Sequence, residues 1–219
     1  MNRTTLRSGL GRALMASLAI SGVLGGCVAA VGGAMVGGTM MAVDRRTTGN
    51  QLDDQTIDIR ASNAITATMG DRAHVNASSY NRVVLLTGEV PTDADRGKVE
   101  AAVAKVENVR AVVNELAVMP NSSFSQQSND TLITGKVKAA FVDAKELQVA
   151  SMKVITERGI VYLMGRVTEA EANVAGNVAR SVSGVQKVVK VFEIISPAEL
   201  AELRVPPSPT AAPASAPPK

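Results

Sequence analysis

The side chains able to do chemistry in this 219-residue chain are few: one cysteine, Cys27, and one histidine, His74. A single thiol closes no internal disulfide, and with one imidazole beside it the chain lacks the Cys and His partners of a zinc site. His74 stands at the start of an expected strand with no acid–base partner nearby in sequence, and reads as a surface residue. Asp53-Asp54 resembles a carboxylate pair, but it opens an expected helix, where acids are favoured by the N-terminal dipole. There is no nucleophile motif, phosphate loop or metal-ligand spacing. The expectation is a non-enzyme with no catalytic residue, metal or cofactor, which leaves Cys27 to be explained.

The neighbours of Cys27 supply a role. Arg3, Arg7 and Arg12 are followed by 31 uncharged residues, Ala13 to Val43. A basic start and an apolar run read as a secretory signal. The run reaches small residues at Leu24-Gly25-Gly26-Cys27, a string that looks like a bacterial lipobox. There the peptidase needs close access to the backbone, and the thiol accepts a diacylglyceryl group. The expectation is a signal peptide over 1–26, a lipidated Cys27 and a Gly-rich tether over 27–50. By resemblance to lipoprotein sorting in Gram-negative bacteria, Val28 in place of Asp implies export to the outer membrane. The alternative is an uncleaved transmembrane helix, since the run is long enough to span a bilayer. Its many glycines weigh against a single helix. Gly33 and Gly37 could form a helix-packing face, or the segment is a flexible tether near the lipid surface.

Charge follows from the same division. The chain carries 23 basic and 20 acidic residues. Without the three N-terminal arginines, basic and acidic residues balance. No long basic run remains to neutralise phosphates, so a nucleic-acid partner is not expected. Apolar residues make up 46% and aromatics only 2%, so cores must be built from Val, Ile, Leu, Ala and Met.

The elements that must position any site come as a repeat. Val83-Val-Leu-Leu-Thr-Gly88-Glu-Val90 matches Ile160-Val-Tyr-Leu-Met-Gly165-Arg-Val167 at an offset of 77, and valines further on coincide at 76. Thr92 and Thr168 are N-cap candidates, Thr168 with Glu171 at capping-box spacing. Val99, Ala102, Val103 and Val106 repeat at helical spacing, as do Ala175, Val178, Ala179 and Val182. β-rich runs close the copies at Val109–Val118 and Val185–Ile195. Upstream lie the helical stripes Ile57, Ala61, Ala64, Ile65 and Ile133, Val137, Ala140, Phe141. First strands follow, with tight turns at Asn81 and Arg158-Gly159. Each copy thus reads α-β-β-α-β. The expected fold is α+β: two tandem units, each a three-stranded sheet with two helices on one face. Their spans are 51–119 and 128–195, joined by a linker at 120–127. A Pro/Ala-rich tail over 196–219 is expected to be disordered.

Two such copies, each with a central strand ending in Gly, resemble the BON domain, and in particular dual-BON-domain outer-membrane lipoproteins. The strings that carry the likeness are Asp44-Arg-Arg-Thr-Thr, Gln51-Leu-Asp-Asp, Ser128-Asn-Asp-Thr-Leu-Ile-Thr and Leu163-Met-Gly-Arg-Val-Thr-Glu. The Gly-rich segment after the cysteine and the longer tail depart from the pattern. The resemblance implies a lipid-anchored protein facing the periplasm that binds anionic phospholipid and supports envelope integrity, with division sites as one place of action. It also implies that the second domain docks through its first helix, at an apolar position corresponding to Leu132.

The residues offer modest support. On a wheel of Asp130–Asp143, Leu132, Lys138 and Val142 fall off the core stripe, and Lys136 adds a cation. Their counterparts in copy one are Thr56, Ser62, Thr66 and Arg60. Residues 50–119 carry a net charge of −3 and residues 128–195 a net charge of +2. A negative leaflet would repel the first copy and attract the second, each nearby cation contributing about 1 kcal/mol. The expected lipid-binding residues are therefore Leu132, Lys136, Lys138 and Val142. Three alternatives stand beside this. Leu132 and Val142 could pack against the first domain. The protein could be an interaction scaffold, with partners in outer-membrane protein assembly or cell-wall remodelling. It could also be a soluble stress-induced periplasmic protein.

Overall fold

Each sheet of this protein is covered on both faces, by helices on one side and by the other sheet on the other. The computed structural model describes residues 44–204. Cys27, the signal segment, most of the tether and residues 205–219 lie outside the described residues.

The first copy runs α1 (Thr48–Met69), β1 (His74–Tyr80), β2 (Val83–Val90), α2 (Asp93–Val103), β3 (Ala111–Asn114) and β4 (Ala117–Val118). The second runs α3 (Phe124–Asp143), β5 (Met152–Glu157), β6 (Ile160–Val167), α4 (Glu169–Ser181) and β7 (Lys187–Ile194), followed by α5 (Pro197–Arg204). In each, a hairpin pairs the first two strands antiparallel, and the helix after it returns the chain to pair parallel with the central strand. The two sheets are ordered β1-β2-β3, with β4 also on β2, and β5-β6-β7. This is the expected α+β architecture.

Alternation along the central strands divides the cores. Val84, Leu86 and Val90 pack under α1 and α2 with Ile57, Ala61, Ile65, Val99 and Val103. Val161 and Leu163 do the same under α3 and α4 with Ile133, Val137, Phe141, Ala175 and Ala179. The opposite faces supply a third core, shared between the copies: Tyr80 and Leu85 against Tyr162 and Met164, flanked by Val113, Ile155, Ile160, Val189 and Val191. Tyr80 Oη donates to the Ser151 carbonyl across this seam at 2.8 Å.

Two repeated devices fix each hairpin. Asp54 accepts from the N–H groups of Asn81 and Arg82, both at 2.8 Å. Asp130 accepts from those of Arg158 and Gly159, both at 2.7 Å. These turn residues all have positive φ, as a two-residue type I′ hairpin requires. Gly88 and Gly165 let the neighbouring strand begin close by. A Cβ at Gly165 would lie 2.5 Å from the Ser151 oxygen, and at Gly88 2.0 Å from that of His74.

The boundaries differ from expectation in four places. α3 starts at Phe124, inside the expected 120–127 linker, because Ser123 and Gln126 form a reciprocal capping box. α1 starts at Thr48, inside the expected 27–50 tether, with Thr47 accepting from the Asn50 N–H. Pro197–Arg204 of the expected disordered tail is helical: Pro197 suits the first helical turn, and Glu199 pairs with Arg166 at 2.5 Å. The expected strand Val109–Val118 is interrupted after Asn114, whose side chain takes the Leu116 N–H.

Candidate functional site

The outer face of α3 gathers the residues expected to meet lipid. Ile133, Val137 and Phe141 turn into the core, so the opposite side of the helix faces solvent. There Leu132 is 65% exposed and Val142 68% exposed, and Lys136 and Lys138 are exposed with them. Neither apolar side chain joins a core cluster, the shared one included. Phe124, placed in the linker by the sequence reading, adds to this face at 85% exposure. It lies 18 residues before Val142, which is five turns, so the two point the same way about 27 Å apart. The Ser123-x-x-Gln126 spacing was the signal that could have found it. Lys138 also borders a cleft shared with Arg46, Asp58 and Lys153.

The first domain is less bare of apolar surface than its sequence suggested. Ser62 and Thr66 are exposed as expected, while Thr56 is half-buried. Leu52 and Ile59 of α1, however, stand out at 64% and 65% exposure. Seven residues apart, they share a face. Charge therefore separates the two helices better than apolar content does.

The seam between the sheets holds the polar clusters. At one end, Arg45 is buried and bidentate on Glu171, with bonds of 2.8 and 2.6 Å, and also donates to the Arg166 carbonyl. Burial opposes ionisation of Glu171, but Arg45 and the Thr168 N–H prevail and hold its pKa below the usual range. Arg46 bonds Asp54 at 2.7 Å and lies 4.3 Å from the centre of the Tyr80 ring. Burial pushes the Tyr80 hydroxyl up to about 12. Nearby, Glu193 of the second domain takes Asn81 and Arg110 of the first, both at 2.8 Å.

At the other end sits the histidine that read as a partnerless surface residue. His74 Nδ1 is 3.1 Å from Glu89 and 3.9 Å from Glu157. Both carboxylates are buried, and Glu89 also takes Arg158 of the second domain at 2.9 Å. Burial raises the Glu157 pKa, with Glu89 and Asp130 adding to the rise. Glu89 goes the other way: burial is outweighed by Arg158, the Ser122 N–H and His74. Sequence reasoning missed the cluster because His74 and Glu157 are 83 positions apart and belong to different copies.

Comparison with known proteins agrees with this architecture. The model of the BON domain matches residues 53–120 and 129–196. The chain is 43% identical over 175 residues to the outer membrane lipoprotein DolP of Haemophilus influenzae, covering 78% of this chain and 90% of that protein. It is 34% identical over 155 residues to a 21 kDa hemolysin of Actinobacillus pleuropneumoniae, covering 70% and 80% of the two chains. It is 27% identical over 144 residues to the osmotically-inducible protein Y of Escherichia coli, covering 64% and 72%.

Proposed function

The chain belongs to the BON-domain family, with two copies of the domain, and we propose that it is an outer-membrane lipoprotein, held through Cys27, whose second domain docks on anionic phospholipid. In this reading it faces the periplasm and supports envelope integrity, with division sites as one place of action. The observation that carries the proposal is the outer face of α3. Leu132 and Val142 stand there exposed beside Lys136 and Lys138, on the domain whose net charge is positive.

The energies suit a tethered binder. Leu132, Val142 and Phe124 each contribute about 1.5–3 kcal/mol if fully withdrawn from water, and each lysine about 1 kcal/mol near a negative surface. Shallow insertion gives a fraction of that sum, which is weak binding in free solution. A lipid anchor raises the local concentration, so weak contact suffices.

Co-sedimentation of the non-acylated chain with vesicles tests the proposal. Binding to phosphatidylglycerol-containing vesicles is expected, with little to phosphatidylcholine alone and a falling bound fraction as salt rises. Equal binding to both vesicle types, or none to either, overturns it.

A second reading is a scaffold in outer-membrane protein assembly or cell-wall remodelling. Leu52 and Ile59 on α1 favour it, because they sit exposed on a net-negative domain that an anionic leaflet would repel.

A further inference from the structure

At the His74 end of the seam, three buried carboxylates gather around one guanidinium. Glu89, Glu157 and Asp130 are each at most 5% exposed, and Arg158 is the guanidinium among them. Asp130 is satisfied by two backbone N–H groups. Glu89 is satisfied by Arg158, the Ser122 N–H and His74. Glu157 is not: Oε2 accepts from Asn76 at 3.1 Å, while Oε1 accepts no hydrogen bond among the described residues. Its nearest neighbour of basic character is His74 Nδ1, at 3.9 Å. Oε1 is reached from the open cleft that Glu157 lines, so a cation entering there meets a carboxylate oxygen with no protein donor on it.

The distances suit one class of cation. The ligand atoms of His74, Glu89 and Glu157 lie within 4.8 Å of one another. Two ligands about 2.1 Å from a tetrahedral zinc ion stand about 3.4 Å apart. The separations from His74 Nδ1, 3.1 and 3.9 Å, bracket that value. An imidazole with two carboxylates favours zinc or a neighbouring transition metal over magnesium or calcium, which take all-oxygen sites. The group opens on a cleft of about 380 Å³ lined by His74, Asn76, Asp130, Thr131, Thr156 and Glu157, which leaves room for water as the fourth ligand.

We propose that His74, Glu89 and Glu157 form a binding site for a divalent transition metal, zinc by its spacing, that clamps the first BON domain to the second. His74 and Glu89 come from β1 and β2, and Glu157 from the end of β5, so the ion bridges the seam. The ion takes the lone pair of Nδ1, and the neutral imidazole then carries its proton on Nε2. Glu157 closes in towards the other two ligands. The site is independent of the lipid-docking face, and its failure leaves that reading untouched.

The test uses the full chain carrying Cys27→Ser, which removes the only thiol, after chelator treatment. Titration with zinc chloride is expected to show one ion bound per chain and a raised thermal midpoint, with no rise from magnesium or calcium. Zinc-edge X-ray absorption is expected to show a single imidazole, and the chain has one histidine, so that signature reports His74. His74→Gln and Glu157→Gln are each expected to weaken binding more than about ten-fold. His74→Gln changes a partly exposed residue and remains informative if Glu157→Gln fails to fold. No stoichiometric zinc binding, no imidazole signal, or undiminished affinity in His74→Gln overturns the proposal.

Discussion

Asp54 shows how much one side chain fixes here. It accepts from Ser79 Oγ, Arg46 and two turn N–H groups. Burial works against its charge, yet those bonds hold its pKa below the usual range. A carboxyl depressed on folding lends stability that is present above its unfolded value, about 3.9. That stability is lost as pH falls through the folded value. The thermal midpoint is therefore expected to fall below about pH 4. Asp54→Asn should lower the midpoint at neutral pH and partly flatten that acid limb. Asp54→Ala leaves Ser79 Oγ and two turn N–H groups without their acceptor, while Arg46 keeps Asp44, at a cost of about 2–5 kcal/mol read by urea unfolding. The hairpin turns at Asn81 and Arg158-Gly159 were legible in sequence through turn chemistry. The acids that hold them were not, since Asp54 reads locally as a helix-start residue and its partners lie 25 to 28 positions away. The same distance effect hid the partners of His74.

At the scale of elements, α3 carries the functional claim. Its buried stripe and the exposure of Leu132, Lys136, Lys138 and Val142 were legible, because a 3.6-residue period assigns both sides of a helix at once. Its start was not. The run Pro120–Gln127 is polar and reads as a linker, and only the capping box extends the helix to Phe124. If that first turn enters the membrane, Phe124→Ser should weaken vesicle binding roughly ten-fold, the equivalent of about 1.4 kcal/mol. The midpoint of thermal unfolding should not move, since the side chain is exposed. Titrating vesicles while following the bound fraction checks the first outcome, and a melting curve the second.

For the whole molecule, the pairing of the sheets is the main departure from the sequence reading. Two separate units on a linker were expected, and a shared core holds Tyr80, Leu85, Tyr162 and Met164 instead. One signal did point to it. Val83–Leu86 and Ile160–Met164 are unbroken apolar runs, which mark strands buried on both faces rather than one. Copy-by-copy reading assigned one face to the helices and left the other unassigned. Tyr162 is fully buried in the seam. Tyr162→Ala is expected to cost about 3–5 kcal/mol. Calorimetry of the unsubstituted chain should give a single transition with matching calorimetric and van't Hoff enthalpies. Two resolved transitions would contradict a shared core. Arg45 extends the arrangement to the segment before α1, tying it to Glu171 of the second domain.

Lipid docking by the second domain rather than the first is the central claim, and a paired substitution tests it most directly. Leu132→Glu and Ile59→Glu place one negative charge at equally exposed positions on corresponding helices of the two domains. Co-sedimentation with phosphatidylglycerol-containing vesicles is expected to be lost in Leu132→Glu and kept in Ile59→Glu. Binding kept in Leu132→Glu and lost in Ile59→Glu would contradict the account.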